Sequence, residues 1–139
     1  MKAGAILALL FLFCIPAKAQ SNAIPFRLVN GHVIVRCSTD MGPQDCLVDT
    51  GAQTSQVSRS LGRGLTPISQ ISVRGVTGNS QHATLATGSL TLGSLSVEVP
   101  VVVADLGTKE YSVILGANFF MQAGKLTIDY ADRELILSR

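Results

Sequence analysis

Asp49-Thr50-Gly51-Ala52 is the segment of this 139-residue chain whose residue types best suit chemistry. A carboxylate at the end of an apolar strand, here Cys46-Leu47-Val48, can be held rigidly and aimed into a cleft as a general acid or base. Gly51 permits a tight turn, and neither it nor Ala52 has bulk that would obstruct a partner chain, while the Thr50 hydroxyl can hydrogen-bond across to backbone. The tetrapeptide alone is weak, because Asp and Gly are ordinary turn formers and an Asp-Thr/Ser-Gly triplet arises by chance in roughly one in twenty chains of this length. Asp45, Asp129 and Asp132 are not followed by Thr/Ser-Gly and do not compete. Ser55, Ser58 and Ser60 with His82 make a poor nucleophile set, since no Gly-x-Ser-x-Gly elbow exists. His32, His82 and the cysteines lack metal-ligand spacing, so the histidines read as solvent-facing strand residues and no metal or cofactor is expected.

The elements that must position Asp49 are strands. Ile24–Val29 and His32–Thr39 are β-rich runs around Asn30-Gly31, the dipeptide suited to a two-residue type I′ turn. Asp40–Gln44 reads as a second turn, and Asp45–Val48 returns as the strand that delivers Asp49. A polar stretch, Gln53–Ser60, leads to a pattern break at Leu61–Gly64. Period-two alternation resumes at Ile71–Arg74, then come the glycine-flanked tip Gly75–Gly78, a long Thr-rich strand at Gln81–Leu92, a Gly93-Ser94 turn and Leu95–Val99. Val101–Val103 is apolar enough to be buried on both faces, although Pro100 marks its start as an edge or bulge. Ala117–Ala123 is the one helical segment, with Gly124 at its C′ position, and a terminal hairpin, Lys125–Tyr130 and Glu134–Leu137, closes the chain. The fold class is all-β with one short C-terminal helix.

Met1-Lys2, an apolar run to Ile15, Pro16 and Ala17-Lys18-Ala19 read as a secretory signal peptide covering residues 1–19. The run is shorter than the roughly 20 residues of a spanning helix, so no stable membrane insertion is expected after cleavage. The single domain is then 20–139, in the periplasm or outside the cell. Without Lys2 and Lys18 the eleven basic residues fall to nine, matching the nine acidic ones, and no basic stripe remains for nucleic acid. Trp is absent and aromatics are few, so Val, Leu and Ile must build the core, which favours strands. Export places Cys37 and Cys46 where disulfides persist. A hairpin centred between Met41 and Gly42 sets Cys37 opposite Cys46 and Val35 opposite Val48, which suits a disulfide; two buried free thiols are the alternative.

With these residues in place, the sequence resembles the retropepsin-like aspartic proteases, single-domain bacterial relatives above all. Four features fall in that family's order: a hairpin leading into Leu47-Val48-Asp49-Thr50-Gly51-Ala52, the tip Gly75-Val76-Thr77-Gly78 where a flap is expected, Ile114-Leu115-Gly116 before a short helix, and the closing segment Leu126–Tyr130. The resemblance implies a small, closed, barrel-like acid-protease fold. It implies Asp49 as the catalytic carboxylate, Gly75–Gly78 as a lid over a peptide or protein substrate, and apolar pocket walls near Val76, Ile114 and Leu115. One Asp-Thr-Gly per chain supplies one carboxylate, so a homodimer must supply the second. The alternatives are a non-catalytic periplasmic peptide-binding or structural module on the same fold, and a small disulfide-stabilised β protein unrelated to proteases.

Overall fold

The structure is a computed structural model that describes residues 22–74 and 78–138. Ten strands and two helical turns follow one another in the order β1 Ala23–Val29, β2 His32–Thr39, β3 Gly42–Val48, β4 Ser55–Ser58, α1 Arg59–Gly62, β5 Thr66–Arg74, β6 Ser80–Leu92, β7 Leu95–Ala104, β8 Val113–Leu115, α2 Ala117–Phe120, β9 Lys125–Asp129 and β10 Glu134–Ser138. The chain is all-β, as its composition implies. It has one helical turn more than expected, because the pattern break after Ser58 folds as α1. The C-terminal helix is shorter than expected: Ala117–Phe120 is α-helical, and the next three residues form turns before Gly124, whose φ of +91° ends the segment as a C′ glycine does.

The first hairpin forms as its sequence dictates. Asn30 and Gly31 take φ values of +51° and +82°, and Phe26 pairs with Val35, Leu28 with Val33. The second hairpin differs in register from the expectation. Its turn residues are Asp40 and Met41, so Cys37 lies opposite Gln44 and Val35 opposite Cys46. Thr39 Oγ1 accepts the Met41 N–H at 3.1 Å and donates to Gly42 O at 3.3 Å, while Gly42 takes a φ of +94° that side chains disfavour. That polar lock fixes the turn one residue upstream of the position that symmetry of the cysteines suggests, which slips the pairing by two residues. Because the slip is two residues and not one, every side chain keeps its face. Cys37 and Cys46 therefore remain diagonal neighbours in the core and are joined by a disulfide, with Cα atoms 5.9 Å apart.

The strands lie in the order β5-β6-β7-β4-β8-β3-β2-β1-β10-β9, and a further pairing of β6 with β2 closes β6, β7, β4, β8, β3 and β2 into a ring. Inside it Val35, Val57, Leu90, Val101, Val113 and Leu115 meet Phe119 from α2. Leu95–Ala104 is one continuous strand despite Pro100. The proline faces Thr87 of β6 one residue before β4 joins at Val101, so β7 is still an edge on its other side there. From Val101 onward β7 has a neighbour on each edge, which explains its apolar run.

Candidate functional site

Asp49 follows directly from the apolar end of β3. Its N–H donates to Leu115 O at 3.0 Å, one rung beyond the parallel pairing of Val48 with Leu115, so its backbone is fixed by β8 as well as by its own strand. The half-buried carboxylate accepts the Gly51 N–H at 2.9 Å. A Cβ at Gly51 would lie 3.2 Å from Asp49 Oδ1, so a small residue there lets the loop fold around the carboxylate. Thr50 is exposed.

The loop is then cross-braced to the start of α2. Ala117 N–H donates to Ala52 O at 2.7 Å and Asn118 N–H to Gln53 O at 3.1 Å, so loop carbonyls satisfy the N–H groups that a helix start leaves without partners. In return Asn118 Oδ1 accepts both the Ser55 N–H and the Ser55 hydroxyl, each at 2.8 Å, and its Nδ2 donates to Pro100 O at 2.8 Å. Ser55 Oγ accepts the Gly116 N–H at 3.0 Å. Ser55 is fully buried, with every hydrogen-bonding atom of its side chain engaged. Gly116 is required by space: a Cβ there would come within 2.8 to 2.9 Å of Ala52 O, Ser55 N and Thr54 C, all backbone atoms.

The Asp49 loop is thus tied to the Leu115–Ala117 segment, with Ala52 O close against Gly116. Ile114 is half-buried, whereas Leu115 is wholly buried in the core, where it packs and does not face an open cleft. Gly75, Val76 and Thr77 lie outside the described residues; Gly78, the remaining residue of that tip, is exposed with a φ of +81°. His32 and His82 are exposed strand residues. A cleft of about 430 Å³ between Asp40, Leu65, Thr66 and Glu98 is lined by nothing from the Asp49 loop. Ser55 and Asn118 are the site residues that sequence reasoning missed. Their signal is present in hindsight: Ser55 and Val57 alternate as one strand face, and Asn118 stands two residues beyond the glycine.

Comparison with known proteins agrees with this geometry. No curated protein matches the chain. A solved retropepsin-like aspartic protease from Rickettsia conorii superimposes with a TM-score of 0.60 at 19% identity, covering 82% of this chain and 87% of that one. The simian foamy virus (mac) protease gives 0.51 at 14%, covering 66% and 96%, and the retroviral protease-like domain of a Leishmania major protein gives 0.52 at 16%, covering 76% and 87%. At such identities these likenesses establish the fold. The family described as "gag-polyprotein putative aspartyl protease" matches residues 35–122, a span that includes both the Asp49 loop and the Gly116–Asn118 brace. The chain therefore belongs to the retropepsin-like, gag-type aspartyl protease family.

Proposed function

We propose that this chain is an aspartic endopeptidase in which Asp49 is the catalytic carboxylate and a homodimer forms the complete site. The observation that carries this reading is the placement of a half-buried carboxylate on a loop locked from both sides, by β8 through Leu115 O and by α2 through Ala52 O and Gln53 O. Such locking supplies the preorganisation that general acid-base catalysis needs. Two carboxylates a few ångströms apart cannot both ionise, so the pair holds one proton between them. The ionised member takes a proton from a water that attacks the peptide carbonyl carbon. The protonated member gives its proton to the carbonyl oxygen, and the tetrahedral species then collapses with protonation of the leaving amine. No bond to the enzyme forms. Only the singly protonated pair works, because one member must act as base while the other acts as acid.

The test is Asp49→Asn. The variant keeps the Gly51 N–H contact through its amide oxygen and should fold and associate like the parent, yet fail to cleave an unstructured protein at mildly acidic pH. Undiminished hydrolysis would remove Asp49 from the mechanism.

We also propose that residues 1–19 direct export and are cleaved, leaving a periplasmic or secreted domain that begins at Gln20. The Cys37–Cys46 disulfide supports this, since such bonds persist in oxidising compartments. Among the described residues no helix is long and apolar enough to cross a membrane. N-terminal sequencing of the exported protein checks it; an intact Met1 would count against cleavage.

A further inference from the structure

We propose that Gln56 determines specificity, by recognising a primary-amide side chain, asparagine or glutamine, close to the scissile bond of a peptide substrate. This rests on the reading of Asp49 as the catalytic carboxylate, and it names the side-chain class that the site selects. Three observations carry it.

The first is a pair of rows across the sheet. Residues in direct register on neighbouring strands point to the same face. One row runs Val35–Cys46–Val113–Val57, and all of it lies in the hydrophobic core. The row beside it runs Ile34–Leu47–Ile114–Gln56–Val102 and points the other way. Among the described residues none of this second row belongs to the core cluster. Asp49 stands two residues beyond Leu47, and the ladder still holds there, because the Asp49 N–H donates to Leu115 O. The carboxylate therefore shares the face of the second row.

The second is how that row is covered. Ile34, Leu47 and Val102 are 1%, 7% and 4% exposed, whereas Ile114 and Gln56 between them are half-buried. Ile114 and Gln56 are thus the open stretch on the face that bears Asp49. Gln56 lies two strands from Leu47, about 10 Å away at ordinary strand spacing. An extended peptide covers about 3.3 Å per residue, so with its scissile carbonyl at Asp49 a side chain one to about three residues away reaches Gln56.

The third is chemistry. Gln56 is the one polar side chain of the row, set between Ile114 and Val102 by direct pairing on each side. The side-chain hydrogen bonds of the site run through Ser55 and Asn118, and Gln56 takes part in none of them. Its amide keeps two donors and an acceptor, which a second primary amide meets with reciprocal N–H···O bonds. A leucine side chain in that place would strip water from the amide and give nothing back, and a charged one would lose hydration against Ile114 and Val102. The apolar wall expected near Ile114 therefore contains one polar recognition point.

Gln56→Leu is the decisive variant. It removes no side-chain hydrogen bond of the site, so its denaturant midpoint should equal or exceed the parent's, and circular dichroism verifies the fold. Peptides built on a sequence that the unaltered chain cleaves, with asparagine, glutamine or leucine at one position at a time, are offered to both chains. At one position near the scissile bond the unaltered chain should show kcat/KM about tenfold higher for the amides than for leucine. Gln56→Leu should abolish or invert that ratio and leave ratios at the other positions alone. Binding is read separately, by selecting a random peptide library on immobilised Asp49→Asn, with and without Gln56→Leu. Amide residues should be enriched on the first and not on the second. Equal ratios and equal enrichment with and without Gln56→Leu would overturn the inference and leave the chemistry of Asp49 intact. Amide-selective binding that Gln56→Leu abolishes, with no hydrolysis by the unaltered chain, would keep the inference and remove the endopeptidase reading. Neither binding nor hydrolysis would overturn both.

Discussion

Ser55 takes no part in proton transfer, yet it is the hinge pin of the site. Its hydroxyl donates to Asn118 and accepts from Gly116, so one side chain links β4, the turn before α2 and α2 itself. Ser55→Ala would leave the buried Gly116 N–H unpaired, a loss of about 1 to 3 kcal/mol. Gly116→Ala would force a methyl group against three backbone atoms that have no room to yield, costing about 1 to 3 kcal/mol or more in strain and displacing the Asp49 loop. Both variants should show a lower denaturant midpoint and a kcat reduced further than KM changes, since loop geometry suffers more than substrate contacts. Parental stability in both would show that the brace contributes nothing. The residues legible in advance were those whose type announces their place, such as the cysteines that the disulfide joins and Gly124 at the end of the α2 segment. Ser55 and Asn118 were not, because their role arises from contact across 63 positions of sequence, and a buried serine looks like a loop serine until its partner is known.

Local elements were readable where short-range chemistry decides them, as at Asn30-Gly31, whose positive φ values follow from residue type, and at Gly93-Ser94. The second hairpin was harder. Thr39-Asp40-Met41-Gly42 and the next register along both satisfy the alternation of apolar residues, and the choice falls to one threonine hydroxyl and a glycine at φ +94°. β4 was hidden for another reason: its Ser55 and Ser58 read as polar, and only the flanking β7 and β8 give Ser55–Ser58 the partners that make it a strand. The disulfide is an element-scale device. It staples β2 to β3 just before the loop that bears Asp49, and closing so short a loop should contribute about 2 to 3 kcal/mol by restricting the unfolded chain. Reduction should therefore lower the denaturant midpoint while the folded protein keeps its far-ultraviolet spectrum in buffer. An unchanged midpoint after verified reduction would refute that contribution.

At the scale of the molecule the ring of strands carries one Asp49 loop, so the proposed two-carboxylate site needs a second chain. The Asp49 loop and the Gly116 brace use the two parallel contacts of the ring, β3 with β8 and β4 with β7, and each occurs once. A chain with one copy of this crossing presents one carboxylate, and a second carboxylate of equal geometry comes most simply from a second copy related by a two-fold axis. Mixing distinguishes this from action by single chains. Let the unaltered chain and Asp49→Asn be combined in equal amounts and allowed to exchange partners. Random association leaves only one quarter or so of the dimers with two aspartates, so activity per unaltered chain should fall to about one half. A threefold excess of the variant should lower it to about one quarter, because mixed dimers hold one ionisable carboxylate and cannot carry a base and an acid together. A single-chain catalyst predicts no loss at any ratio.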